Sequence, residues 1–158
     1  MIAQEILVAA RALSKRIATA ESCTGGMVSA ALTDIAGSSD VFDRGFVTYS
    51  NDAKIAMLGV ATATLADFGA VSEQVARQMA DGALARSRVE IAVAITGVAG
   101  PGGSDFKPEG RVCFGLACQG QPTQTITIEF GPLGRAAVRA ASTEFALGLL
   151  LQALQPQT

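Results

Sequence analysis

"EIAVAIT", Glu90 to Thr96, carries five apolar residues in unbroken succession. A strand with one wet face alternates apolar and polar side chains. A continuous run this short instead predicts a strand buried on both faces, which needs cover on both sides of its sheet. Working outward from it, "RIATA" (16–20) reads as a second short strand and "GFVTYS" (45–50) as a third. Helical stripes lie between and around them. Ile2, Ile6, Leu7, Ala10 and Leu13 predict a helix over 2–15, and Met27, Val28, Ala31, Leu32 and Ile35 predict another, ended by Gly37. Asn51 is an N-cap for a short helix closing at Leu58-Gly59, and Ser72 caps a longer one running to about Ser87.

Beyond the central strand the pattern changes. A Gly/Pro-rich loop, "GVAGPGGSDFKPEG" (97–110), leads into "RVCFGLACQ" (111–119) and "TQTITIEF" (123–130), joined by a connection of hairpin length. In the last strand Ile126, Ile128 and Phe130 alternate with Thr125, Thr127 and Glu129, predicting one buried and one polar face. A final helix runs from Leu133 to Leu154. Strands alternating with helices early and a hairpin late imply an α/β fold, a mixed sheet of about five strands covered by helices on both faces. No linker, repeat or low-complexity stretch divides residues 1–158, so a single domain is expected.

Composition narrows the function classes. The chain has 158 residues, 49% apolar, with a formal net charge of −2. It shows no basic run interleaved with aromatics, so nucleic acid is not the expected partner. Glu5, Arg11, Lys15 and Arg16 interrupt the N-terminal apolar stretch, so no signal peptide is expected. No segment approaches the ~18 uninterrupted apolar residues of a membrane span. Cys23, Cys113 and Cys118 show no metal spacing, so no metal site or disulfide framework is expected. A cytoplasmic protein follows from these readings, and an Ala-rich surface stripe is compatible with a homodimer.

Chemistry concentrates in "TAESCTGG", Thr19 to Gly26. Ser22 lies where a strand meets a helix, beside the backbone N–H groups of Cys23, Thr24, Gly25 and Gly26 and the positive end of the helix dipole. The two glycines let a ligand approach the backbone. Glu21 reads as a carboxylate favouring that dipole. Two readings stand: a helix cap, or a nucleophile, with Cys23 as the rival to Ser22. The chain has no histidine, so a Ser-His-Asp triad is impossible. "TYSNDAK" (48–54) offers Tyr49 and Lys54 instead. In the first turn of a helix both the dipole and desolvation lower a lysine pKa from about 10.4, which lets Lys54 act as a base toward serine. A solvated surface lysine is the plainer alternative. "TGVAGPGG", Thr96 to Gly103, is either a bare connection or a loop presenting N–H groups, among them those of Gly97 and Gly100, to an anion. All three motifs follow strands, so they converge on one sheet edge.

The motifs "TAESCTGG", "DIAGSS", "GFVTYSNDAK", "FGAVSEQVA", "AITGVAGPGG", "KPEG" and "GRAAVR" occur in the order and spacing of one family. Over residues 4–150 the chain resembles the CinA C-terminal domain family, which includes amidohydrolases that deamidate nicotinamide mononucleotide to nicotinate mononucleotide and ammonia. The resemblance implies a three-layer α/β/α sandwich, Ser22 as nucleophile, Lys54 as its base and Tyr49 on the proton path. It also implies Thr96 and either Arg135 or Arg139 as contacts to a pyridine nucleotide substrate, with no cofactor. The chain has "GPLGR" where the family commonly has Gly-Asp-Arg, which leaves the choice of arginine open. The molybdopterin-binding-like domain often fused to this family is not expected here. Outside enzyme chemistry, the same turns suit a non-catalytic nucleotide- or phosphate-binding module.

Overall fold

Alternation of large and small side chains along the central strands sets the architecture. In the computed structural model, which describes residues 1–104 and 106–156, β1 (Ile17–Glu21) and β3 (Ile91–Gly97) are parallel neighbours in a five-stranded sheet. Ile17, Ile91, Val93 and Ile95 point to one face, while Ala18, Ala20, Ala92 and Ala94 point to the other. The large-residue face is covered by α1 (Ile2–Ala12), α2 (Met27–Thr33) and α6 (Arg135–Ala153). The alanine face lets a helix lie close. There α5 (Glu73–Ala85) packs on the sheet, with α3 (Asn51–Leu58) and α4 (Thr62–Phe68) outside it. A side chain on Gly82 would stand 1.9 Å from the Leu58 carbonyl oxygen, so only glycine lets α3 and α5 approach this closely. Both helix layers confirm the α/β/α expectation.

The strand order is β2-β1-β3-β4-β5, with β2 (Phe42–Val47), β1 and β3 parallel. The hairpin of β4 (Arg111–Cys118) and β5 (Gln124–Glu129) adds the antiparallel half. The chain leaves β1 for β2 on one side and returns to β3 on the other. That reversal opens a crevice at the carboxyl ends of β1 and β3, where open α/β sheets bind ligands.

Several expectations shift. The third strand starts earlier and ends sooner than 45–50, because its ladder to β1 runs from Phe42 to Val47 and only the Thr48 N–H continues it, to the Glu21 carbonyl at 2.9 Å. Ser50, not Asn51, is the N-cap of α3: its hydroxyl accepts the Ala53 N–H at 3.0 Å, and Asn51 is already helical. Ser72 caps α5 as expected, accepting from the Val75 N–H at 3.2 Å. The faces of β5 are less clear-cut than its alternation implies. Ile126 is 40% exposed, while Thr125 and Thr127 turn their hydroxyls onto the Glu73 carboxylate of α5. Helix α4 was not expected at all. It has no buried residue, so it leaves no apolar stripe to read. Asp105 of the glycine-rich loop and residues 157–158 of the single-domain reading lie outside the described residues.

Candidate active site

The crevice holds a cleft of about 300 Å³ lined by Ser22, Cys23, Tyr49, Asn51, Lys54, Ala70, Val71, Thr96, Arg135 and the stretch Gly97–Ser104. The three motifs therefore meet at one sheet edge. The Ser22 N–H donates to the Ile95 carbonyl at 2.9 Å, fixing the serine at the end of β1 against β3.

Lys54 is not a surface residue. Only 2% of it is exposed, and its Nζ lies 3.0 Å from Ser22 Oγ and 3.0 Å from the Thr48 carbonyl oxygen. Burial pushes its pKa below the ordinary lysine value. Nζ donates to both oxygens, which holds the amine against the serine hydroxyl. Cys23 goes the other way. It is 5% exposed, belongs to the apolar core, and burial pushes its thiol up to about 11. A thiol so placed stays protonated near neutral pH.

The turn after Ser22 is built differently from a simple helix start. Its first helical N–H groups are taken by Glu21, a residue with no exposed surface. The Glu21 carboxylate accepts from Val28 N–H at 2.9 Å, Ser29 N–H at 3.1 Å, and the Thr24 and Ser29 hydroxyls at 2.7 Å each. Gly25 donates to the Ser22 carbonyl and Met27 to the Thr24 carbonyl, both at 3.0 Å. The N–H groups of Cys23 and Thr24 make no hydrogen bond to another described residue, so anion-donating capacity lies beside the serine rather than at the helix proper. Gly25 and Gly26 both hold positive φ, 57° and 106°, which a side chain would strain.

The remaining candidates divide. Arg135 reaches the cleft mouth, donating to the Gly100 carbonyl at 2.8 Å and the Tyr49 hydroxyl at 2.6 Å. Tyr49 is thus engaged by Arg135 rather than by Lys54, and it is well exposed. Arg139 is absent from the lining. Its Nε donates to the Cys23 carbonyl at 3.0 Å and its Nη2 to the Thr24 carbonyl at 3.4 Å. The Thr96 hydroxyl is spent on the Ala70 carbonyl at 2.8 Å, so Thr96 shapes the cleft with a committed donor. Gly97 and Gly100 line the cleft, and the Gly102 N–H donates to Glu109 Oε1 at 3.2 Å.

The Thr48 carbonyl, Lys107 and Glu109 went unassigned in the sequence, and Glu21 was read there as a carboxylate favouring the helix dipole rather than as the clamp of the turn. Only Glu21 left a signal there, as a carboxylate directly before a helix start. Among the described residues no group of His, Cys, Asp or Glu is arranged to hold a metal ion, and no helix is long and apolar enough to cross a membrane.

The family model of the CinA C-terminal domain matches residues 1–154. The chain is 48% identical over 153 residues to a nicotinamide-nucleotide amidohydrolase PncC of Escherichia coli (strain K12), covering 96% of this chain and 92% of that protein. It is 52% identical over 149 residues to a CinA-like protein of Mycobacterium sp. (strain MCS), covering 94% of this chain but 35% of that protein. The chain thus spans about a third of the length of such CinA-like relatives. The crystal structure of competence/damage inducible protein CihA from Agrobacterium tumefaciens superposes with a TM-score of 0.94 at 50% identity, covering 98% of this chain and 94% of that one.

Proposed function

The chain belongs to the CinA C-terminal domain family, and from that premise we propose that it is a nicotinamide-nucleotide amidohydrolase, converting nicotinamide mononucleotide and water to nicotinate mononucleotide and ammonia. The observation that carries this reading is the buried Lys54 Nζ at 3.0 Å from Ser22 Oγ, on the wall of a cleft. The 48% identity to an amidohydrolase of nearly the same length supports it.

In the proposed cycle neutral Lys54 takes the Ser22 proton as Oγ attacks the carboxamide carbon. The C–O bond forms, and the carbonyl π electrons move to oxygen, for which the Cys23 N–H beside the serine is the proposed donor. One such donor is worth about 3 kcal/mol in hydrolases. The C–N bond then breaks, and protonated Lys54 gives its proton to the departing ammonia. Water repeats the attack on the acyl-enzyme, with Lys54 as base again, and releases the carboxylate. The Thr48 carbonyl keeps the amine oriented through both halves. Arg135, an exposed cation whose hydrogen bonds go to neutral groups, suits the nucleotide phosphate at the cleft mouth. The reading takes residues 1–158 as one catalytic domain at work in the cytoplasm.

The test is product identity. Wild type should release ammonia from nicotinamide mononucleotide with the glycosidic bond intact. Ser22→Ala should abolish that release, and Cys23→Ala should retain most of it. Free nicotinamide as product would overturn the amidase reading. Binding without turnover would make the chain a nucleotide-binding module.

A further inference from the structure

Arg135 and Arg139 lie four residues apart on α6 and so share one helix face, yet they serve different structures. Arg135 points to the cleft mouth, whereas Arg139 lies against the serine turn and, of the cleft lining, hydrogen-bonds only the carbonyl of Cys23. The fit is close: a side chain on Gly25 would stand 3.2 Å from Arg139 Nη2. We infer that Arg139 is a positioning residue for the oxyanion donor beside Ser22, acting through the backbone of the turn rather than on the substrate phosphate. The inference rests on the reading of Ser22 as nucleophile.

The argument follows the peptide units one by one. In a trans peptide the carbonyl and the N–H point in opposite directions. Arg139 Nη2 donates to the Thr24 carbonyl, whose peptide carries the Gly25 N–H. That N–H donates to the Ser22 carbonyl at 3.0 Å, whose peptide carries the Cys23 N–H. A guanidinium charge therefore sits at the head of two hydrogen-bonded peptide units that end on the donor next to the serine. Each link polarises the next, by roughly 10–30% per bond. Nε, on the Cys23 carbonyl, fixes the Thr24 N–H in the same way. The Arg139 charge also lowers the pKa of the Cys23 thiol against the larger effect of burial, so its field favours negative charge within the turn. The residue after a serine nucleophile commonly supplies an oxyanion donor in other hydrolase folds.

Arg139→Met and Arg139→Lys test this, with two readouts. The first is steady-state ammonia release from nicotinamide mononucleotide and from nicotinamide riboside, which lacks the phosphate. The second is the rate of Ser22 phosphonylation by an alkyl fluorophosphonate, followed by intact-protein mass, which needs no nucleotide. Arg139→Met should lower kcat about 30- to 100-fold on both substrates alike, leave KM within about threefold, and slow phosphonylation by a similar factor. Added methylguanidinium should restore part of each loss, and Arg139→Lys should fall between wild type and Arg139→Met. The inference is overturned if the loss falls on KM for the mononucleotide alone, or if phosphonylation is unchanged. Should Arg139→Met fail to fold, Arg139→Lys carries both readouts with the same criteria. A wild type that is phosphonylated at Ser22 but releases no ammonia would sink the amidohydrolase reading and leave the phosphonylation comparison to decide this one.

Discussion

The two banks of the cleft are held by opposite means. On the serine bank the turn from Ser22 to Gly26 is gripped by a fully buried carboxylate, Glu21, and by the part-buried guanidinium of Arg139. On the glycine-rich bank the roots are anchored by the pairs Val98–Arg111 and Gly110–Val98, and Ser104 and Lys107 exchange backbone hydrogen bonds within the loop. Its rim depends on single ties from Arg135 to Gly100, Glu109 to Gly102, and Lys107 to the carbonyls of Phe68 and Val71. Breaking a buried charged hydrogen bond costs about 1.5–3 kcal/mol, a typical exposed one about 1 or less. On the proposed function, the bank that would make and break bonds is therefore fixed, and the bank that would meet the nucleotide is adjustable. Substitutions on the first should reach kcat, and on the second KM.

Lys54 is the sharpest test of the fixed bank, because the proposed cycle uses it as a base while its burial costs stability. Lys54→Met should reduce ammonia release about 10³-fold, the scale of a lost general base. The same substitution should raise unfolding free energy at pH 7 by about 1–2 kcal/mol, since it removes a buried amine. The sign follows from the lowered pKa. Between the folded and unfolded pKa values the unfolded chain binds the extra proton, so wild-type stability rises with pH there. The penalty is absent above the ordinary lysine value, grows as pH falls, and is complete below the folded pKa. Urea melts across pH should show that slope in wild type and lose it in Lys54→Met. Activity should rise with pH through an apparent pKa below about 10.4. A variant that is inactive but no more stable would mean the serine bank carries no such strain.

Arg135→Gln breaks the comparison from the other side. Removing a charged donor from the cleft mouth should raise KM for nicotinamide mononucleotide about 10- to 100-fold, with kcat preserved. The riboside should be hydrolysed as before. A fall in kcat equal to that of Arg139→Met would erase the distinction between the two arginines.

That distinction was not readable in the sequence, and the reason is geometric. Residues four apart on a helix share a face, so which one meets the cleft depends on where the serine turn docks against α6. Ser22 and Lys54 stood out as candidates because the chain has no histidine and only three lysines, but the residues alone left a helix cap, Cys23 and a surface lysine open, and the family resemblance was what joined the two. Burial of Lys54 was not readable, since it depends on Thr48 and on the packing of α3 against α5. Among the strands, β3 announced itself by an apolar run. The edge strand β2 hid its start, because Asp43 and Arg44 look like loop residues and pair with each other on the surface. Helix α4 hid for a related reason: nothing in it is fully buried, and besides Leu65 packing on the core it is held by polar contacts rather than an apolar stripe.

Those polar contacts give the smallest effect and the finest probe of the adjustable bank. The segment after helix α4 forms the cleft wall at Ala70 and Val71. The helix and this segment are tied down by Gln78 to the Ala61 N–H and the Thr64 hydroxyl, both at 2.9 Å, and by the Ser72 hydroxyl to Gly69 and the Thr96 hydroxyl to Ala70. Lys107 adds the strap that crosses from the glycine-rich loop to Phe68, at 2.6 Å, and to Val71. Lys107→Met keeps the length of the side chain and removes only the donor. With the other ties intact, the wall loses about 1 kcal/mol of restraint. KM should then rise about threefold to fivefold with kcat unchanged, and amide exchange should quicken over residues 68–71 while the serine turn stays protected. Should kcat drop instead, or the exchange spread to residues 22–26, the two banks would be one mechanical unit and the contrast between them would fail.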